Sequence, residues 1–167
     1  MNISRRHMIA CGASGLALPN TAFAFSPKEI TWDDLIPPGV PYSEIIGEGE
    51  VDEVNDRWLP VFDSNATKMN PALNGAYIKM PGFIIPIETT SAGVTEFILV
   101  PYVGACLHTP PPPANQLVFV KSKEPWPDDD LFAAVWVTGF MTHELMSTDI
   151  AEIGYNMDAD AMEIYVW

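Results

Sequence analysis

The chain has 167 residues, 48% of them hydrophobic, and a formal charge of −14 at pH 7, which together indicate one acidic globular domain. All 22 acidic residues follow residue 24, whereas two of the 8 Lys and Arg residues precede it, so the chain beyond residue 24 has six basic residues and a charge of −16. Nucleic acids and anionic lipids bind clustered cations, so we expect no nucleic-acid partner and at most peripheral membrane contact. The spread of the acids favours a role in solubility over attraction of cations or of a basic partner.

Residues 1–24 are predicted to form an export signal that is cleaved after Ala24, which predicts a periplasmic protein. The apolar stretch at residues 8–18 is too short to span a bilayer, and residues 22–24 (AFA) fit the cleavage pattern of small residues. The segment SRRHMI at residues 4–9 fits a twin-arginine signal, and a Sec signal with two arginines is the alternative.

Removal of the signal also removes Cys11 and leaves Cys106 as the only cysteine of the mature chain. An internal disulfide is therefore excluded for the mature monomer, although an oxidising compartment would permit one. A single cysteine of this kind is a small buried hydrophobe, an intermolecular partner, or a metal or redox ligand.

The segment of residues 25–73 is predicted to be a mostly irregular wrap and linker around the folded domain. Pro37, Pro38 and Gly39 end any helix that begins near Trp32. Five acids lie between Glu44 and Glu53, which is typical of a solvated segment.

Residues 74–167 are predicted to form the folded domain. Apolar runs predict strands at residues 76–88, 94–102, 117–121 and 133–141, and a final extended pair at 154–167 with a turn at Asp158–Asp160. Pro81 and Gly82 predict a bulge or sharp bend. The run Phe97–Val100 predicts burial on both faces, and Thr142–Glu152 is predicted to form a helical turn or two.

These short strands, with glycines inside them and one short helix, predict a mainly β fold. The best match is a small OB-like five-stranded barrel, and a β-sandwich is the alternative. Closure of the barrel would protect the apolar strands from aggregation at an open edge.

Several segments carry a resemblance to a known family. They are WDDLIPP (residues 32–38), PGFIIPIE (81–88), TEFILVPYVGACLHTPPPPANQLVFV (95–120), VWVTGFM (135–141) and GYNMDADAMEIY (154–165). With them the chain resembles the DUF3299 family of exported bacterial proteins, over about residues 74–167 and the first of these segments. The family has no settled biochemical activity. Some members are similar to components encoded beside MacB-like ABC transporters under zinc-dependent control, so the resemblance implies a role in envelope transport and zinc handling.

Cys106 and His108 are the first candidate metal ligands, because residues i and i+2 of an extended chain face the same side. His143 is the candidate third ligand, with Glu144 or another acid as the fourth, and such a mixed set suits Zn²⁺. In the structural alternative, Cys106 fills a gap in the core and His108 bonds a carbonyl group.

A thiol enzyme is the least favoured hypothesis. His108 would lower the pKa of the Cys106 thiol, and Asn115 would orient the imidazole ring. Neighbours at i and i+2 rarely place a base in line with a thiolate, and the sequence shows no sign of an oxyanion hole.

The loop after the second core strand is also a candidate interaction surface. Four successive prolines form its centre: Pro110, Pro111, Pro112 and Pro113. With Asn115, Gln116 and an exposed Trp126 they would present a polyproline II face to an aromatic groove of a partner. In the structural alternative the two amides satisfy the backbone of the loop, and Trp126 anchors a loop of its own. We therefore expect a non-enzymatic accessory or binding protein of the envelope, with a purely structural or interaction module as the alternative.

Overall fold

The computed structural model of the protein describes residues 26–53, 57–105, 111–127, 132–148 and 151–166. The predicted export signal lies outside these residues, as do Cys106, His108 and Pro110. Among the helices of the described ranges, none has the length and apolar character needed to cross a membrane.

The described part of the chain is built mainly from β-strands. In chain order they are β1 (Lys28–Glu29), β2 (Glu50–Asp52), β3 (Arg57–Leu59), β4 (Ala76–Thr90), β5 (Gly93–Val100), β6 (Val118–Trp126), β7 (Ala134–Ser147) and β8 (Glu152–Ile164). Three short 3₁₀ helices lie between them, at Trp32–Leu35, Pro71–Leu73 and Ala114–Gln116. Strands β2 and β3 pair antiparallel in a separate two-stranded sheet.

Five strands close into a barrel because β4 pairs with two neighbours along its length. Its first half pairs with β7 and its second half with β5, and Phe83 is opposite both Ala134 and Val100. The circuit continues from β5 to β6, then to β8 and back to β7, and β6 and β8 are parallel. This topology confirms the predicted mainly β, OB-like five-stranded barrel over the alternative sandwich.

The bend expected in β4 lies where the strand changes its pairing partner from β7 to β5. Pro81 and Gly82 lie in continuous pairing with β7, and β4 leaves β7 directly afterwards at Phe83. The register shifts in the pairing with β5 come later, between Pro86 and Thr89. The strand therefore turns the corner of the barrel next to the Pro-Gly pair, and its bulges lie elsewhere.

Two local predictions were wrong in the last third of the chain. The predicted helical turn from Thr142 is instead the end of β7, where His143 is opposite Tyr155. The turn predicted at Asp158–Asp160 lies inside the continuous strand β8. Backbone pairing with neighbouring strands satisfies these residues, and it outweighs their weak local preference for turns.

Strand β5 is buried on both faces, as its sequence predicts. Phe97, Ile98, Leu99 and Val100 are each fully buried. Phe97 and Leu99 belong to the cluster that fills the barrel, whereas Ile98 and Val100 belong to a second cluster. Because successive side chains of a strand face opposite sides, the second cluster lies on the outer face of the barrel. Its remaining buried members are Ile85, Ala105, Leu117 and Ile153.

The first described residues of the chain are attached to the barrel through β4 and through the interior cluster. Strand β1 pairs in parallel with β4, and the Ile30 N–H donates to the Lys79 carbonyl at 2.9 Å. Ile30 and Leu35 are buried in the cluster that fills the barrel. This attachment places the 3₁₀ helix of residues 32–35 beside the corner of β4.

Candidate functional site

A shallow aromatic cleft of about 400 Å³ lies where β4 changes its partner. We call it the aromatic cleft, and it is lined by Trp32, Pro81, Gly82, Phe83, Pro101, Tyr102, Val103 and Tyr165. The lining comes from four parts of the chain: the 3₁₀ helix at residue 32, the corner of β4, the end of β5 and the end of β8. Four aromatic rings and two prolines give it an apolar surface that is open to solvent.

Trp32 is positioned by hydrogen bonds within the turn that contains it and by the absence of a side chain at Gly82. The backbone N–H and the hydroxyl of Thr31 both donate to the Asp34 carboxylate, at 2.8 and 3.0 Å. A Cβ atom at Gly82 would lie 2.9 Å from Cζ2 of Trp32 and 2.7 Å from Cγ of Leu99. Gly82 is therefore required for the indole to rest against the strand.

Tyr155 holds the same turn from inside the barrel. Its hydroxyl donates to the Leu35 carbonyl at 2.5 Å, and the Asn70 N–H donates to the hydroxyl oxygen at 2.6 Å. Burial raises the pKa of Tyr155 to about 12, and the Asn70 bond opposes that rise. One fully buried phenol thus joins the barrel to the turns at residues 32–35 and 70–73.

The opposite wall of the aromatic cleft is formed by Tyr165. Its N–H donates to the Ala134 carbonyl at 3.0 Å, and its ring meets Trp136 edge to face at 5.2 Å. Lys79 Nζ lies 5.2 Å from the centre of the same Trp136 ring and 2.7 Å from a Glu163 carboxylate oxygen. This network fixes the wall before any ligand binds.

A carboxylate, that of Asp33, lies near the rim of the aromatic cleft. The pKa of Tyr42 is raised mainly by burial, then by nearby Tyr102 and Asp33. Tyr42 and Tyr102 are 51% and 42% exposed, so their rings extend the apolar surface outward beside a carboxylate. The arrangement offers stacking surfaces with negative charge at one edge.

Asn115 and Gln116 were predicted as part of a binding loop. Both are buried, and their side chains donate hydrogen bonds to the backbone of the N-terminal segment. Asn115 Nδ2 donates to the carbonyls of Asn65 and Lys68 at 2.9 and 3.1 Å. Gln116 Nε2 donates to the Trp32 carbonyl at 3.1 Å. The pair satisfies backbone groups far away in the chain and thereby supports the aromatic cleft from behind.

The prolines of the predicted interaction loop are described in part. Pro112 and Pro113 are buried and Pro111 is partly buried, whereas Pro110 lies outside the described residues. Pro111 and Pro112 face residues 59–67 across a second cavity of about 400 Å³. Burial of this kind favours the structural interpretation of the proline run.

Trp126, predicted to be exposed in a loop, lies at the end of β6 opposite Val94. It is half-buried and packs against the cluster that fills the barrel. The backbone at Gly93 comes so close that a Cβ there would lie 1.9 Å from the Trp126 carbonyl oxygen. These contacts favour the anchoring interpretation of Trp126.

Of the predicted zinc ligands, the structure describes His143 but neither Cys106 nor His108. His143 is half-buried in β7, and its backbone N–H donates to Asn74 Oδ1 at 3.4 Å, while Glu144 is exposed. Within the described ranges no three His, Cys, Asp or Glu residues are grouped to hold a metal ion. Zinc binding through these three residues stays a prediction.

The aromatic cleft was missed by reasoning from the sequence. Trp32, Tyr102 and Tyr165 lie just outside the strands, where aromatic residues are commonly ordinary packing groups. The available signal was the position of these aromatic residues at the ends of predicted strands that a closed barrel brings together. Only the closure shows which ends meet.

Comparison with known proteins agrees with the fold. The family model "Protein of unknown function (DUF3299)" matches residues 32–164. The crystal structure of a DUF3299 family protein (PA4066) from Pseudomonas aeruginosa PAO1 is similar, with a TM-score of 0.67 and 35% sequence identity. The similarity covers 85% of this chain and 98% of that one. A search of curated proteins found no match. The chain therefore belongs to the DUF3299 family.

Proposed function

We propose that this protein is an exported, non-enzymatic accessory protein of the cell envelope that binds a component of a transport process through the aromatic cleft. The cleft itself carries the proposal, because its open apolar surface is built from four separate parts of the chain. Bonds from Gln116 and Tyr155 hold one wall, and the Trp136 contact holds the other. A preformed surface of this kind loses little conformational entropy on binding.

The chemistry of the lining supports binding over catalysis. Trp, Phe, Pro, Gly and Val residues supply most of the surface, and the lining residues with a titratable group are Tyr102 and Tyr165. Aromatic faces and a few phenols pack and orient a partner, which is their usual role at interfaces. The alternative of a thiol enzyme depends on Cys106 and His108, and reactivity of that thiol tests it.

The proposed link to zinc handling comes from the family resemblance and is separate from the cleft. It needs Cys106, His108 and His143 to converge on one ion. Zinc content of the purified protein tests that link without reference to any partner.

Photocrosslinking in living cells tests the proposed function. Benzoylphenylalanine replaces either Tyr102, at the rim of the cleft, or Phe140, which is 44% exposed on β7 and does not line the cleft. We expect an adduct with a membrane transport component from position 102 and none from position 140. Equal adducts from both positions, no adduct from position 102, or fractionation of the protein with the cytoplasm would each contradict the proposal.

A further inference from the structure

Resting on this proposed function, we propose that the aromatic cleft binds an extended, proline-rich segment of the partner that carries basic residues. The inference concerns the chemistry of the occupant, which the proposed function leaves open. Its three supports are the aromatic lining, the proline at the corner of β4 and the charge at the rim.

The lining favours proline over other residues. Trp32, Phe83, Tyr102 and Tyr165 present aromatic rings on a surface that is open along one side. Proline-rich segments dock into aromatic-lined grooves because their polyproline II conformation is already ordered, so little entropy is lost. An open cleft also fits the side of a passing chain, whereas small ligands are usually enclosed by most of their surface.

The same lining disfavours a carbohydrate. Sugars also stack on aromatic rings, but their hydroxyl groups need several hydrogen-bonding partners. The lining offers the phenols of Tyr102 and Tyr165 beside mostly apolar side chains. Hydroxyl groups buried against such a surface would lose bonds to water without replacement.

Backbone pairing is a poor route for a segment to dock at the corner of β4. Pro81 has no N–H group to donate to an added strand, and the pairing of β4 with β5 begins soon afterwards at Phe83. A polyproline II helix contacts a groove through its side chains, without backbone pairing.

The rim selects for positive charge. Asp33 lies next to Trp32 in the chain, and after burial and Tyr102 its charge is the third cause that raises the pKa of nearby Tyr42. Lys79, a basic side chain against the cleft wall, is neutralised by its ion pair with Glu163 at 2.7 Å. The formal charge of the whole chain is −14, so both the local and the overall field attract a basic segment.

Binding of synthetic peptides to the purified protein tests the inference by calorimetry. The probe is a polyproline peptide with lysine at both ends. Matched peptides carry either glutamate at the ends or a Gly-Ser core in place of proline. We expect the lysine-ended polyproline peptide to bind at least about tenfold more tightly than either matched peptide.

Variants locate the bound peptide. Tyr102→Ala should weaken binding about tenfold or more, as for an aromatic residue that contributes much of the binding energy of an interface. Phe140→Ala is the matched control, because Phe140 has nearly the same exposure, 44% against 42%, and does not line the cleft. Asp33→Asn should weaken binding of the lysine-ended peptide about two- to fivefold, and less at high salt. Unchanged thermal melting of each variant excludes unfolding as the cause.

The inference is overturned if no peptide binds, if the Gly-Ser peptide binds equally well, or if a chito-oligosaccharide binds more tightly than the proline peptide. It is also overturned if Tyr102→Ala and Phe140→Ala have equal effects. Crosslinking from position 102 to a membrane component without proline-peptide binding would refute this inference and leave the proposed function standing. Loss of the crosslink would refute the proposed function instead.

Discussion

Removal of a single oxygen atom, in Tyr155→Phe, tests how the N-terminal segment is attached to the barrel. The variant leaves the Leu35 carbonyl without its bond of 2.5 Å and the Asn70 N–H without its bond of 2.6 Å. An orphaned buried polar group costs about 1–3 kcal/mol. Because the Asn70 contact is only partly buried, we expect a total loss of about 2–4 kcal/mol in the free energy of unfolding.

Urea denaturation at pH 8 measures this loss. Tyr77→Phe is the control, since the Tyr77 ring packs against Phe140 at 4.7 Å, away from the interior of the barrel. The control should lose less than about 0.5 kcal/mol. A loss below about 1 kcal/mol for Tyr155→Phe would refute the assigned role of the phenol.

The dependence of the free energy of unfolding on alkaline pH tests the role of Tyr155 in a second, independent way. Burial raises its pKa from 10.0 to about 12, so the folded state favours the neutral phenol. The stabilisation is therefore complete below pH 10 and is lost as the pH rises towards 12. At pH 11 wild type should lose about 1.4 kcal/mol that the Phe variant does not lose. A stability difference between the two proteins that stays constant from pH 8 to pH 11 would contradict this assignment.

Three further predictions concern the cleft and the proposed zinc ligands. Gly82→Ala should lower the free energy of unfolding by about 1–3 kcal/mol and weaken peptide binding, because the added methyl group displaces Trp32; urea denaturation and calorimetry measure both. Gln116→Met should lower the free energy of unfolding, measured by urea denaturation, by about 1–3 kcal/mol, because the Trp32 carbonyl loses its donor. A loss near zero would contradict the supporting role of Gln116. Elemental analysis of the mature protein should find about one zinc ion per chain, and alanine at Cys106 and His108 should abolish zinc binding. The site would be refuted if the wild type is purified without metal and added zinc does not change its melting temperature.

Rapid alkylation of Cys106 below neutral pH would support the thiol-enzyme alternative, because a reactive thiol has a lowered pKa. An inert Cys106 would exclude it.

The strands of the barrel were predictable to the extent that their side chains alternate or are continuously apolar. Phe97–Val100 is the clearest case, since a run buried on both faces needs four successive apolar residues. Prediction failed at Thr142 and at Asp158, where the local residues favour a turn. There the pairing of β8 with both β6 and β7 supplies hydrogen bonds that no local pattern reveals.

The aromatic cleft was not predictable from the sequence for a related reason. The sequence motif indicates the proline loop and its amides, and the structure gives Gln116 a supporting role behind the cleft. The bond from Gln116 to Trp32 joins residues 84 positions apart, and the bond from Tyr155 to Leu35 joins residues 120 positions apart. Side-chain to backbone bonds at such separations leave no periodicity in the sequence.

The amino-acid sequence by itself determined the β class, the order of the core strands and membership of the family, because apolar patterning and an unusual motif are local properties. The tertiary structure alone decided that Trp32, Tyr102 and Tyr165 share one surface. The physical reason is closure: β4 pairs with both β5 and β7, and this brings together chain ends that the sequence keeps apart. The aromatic cleft exists only once the barrel has closed.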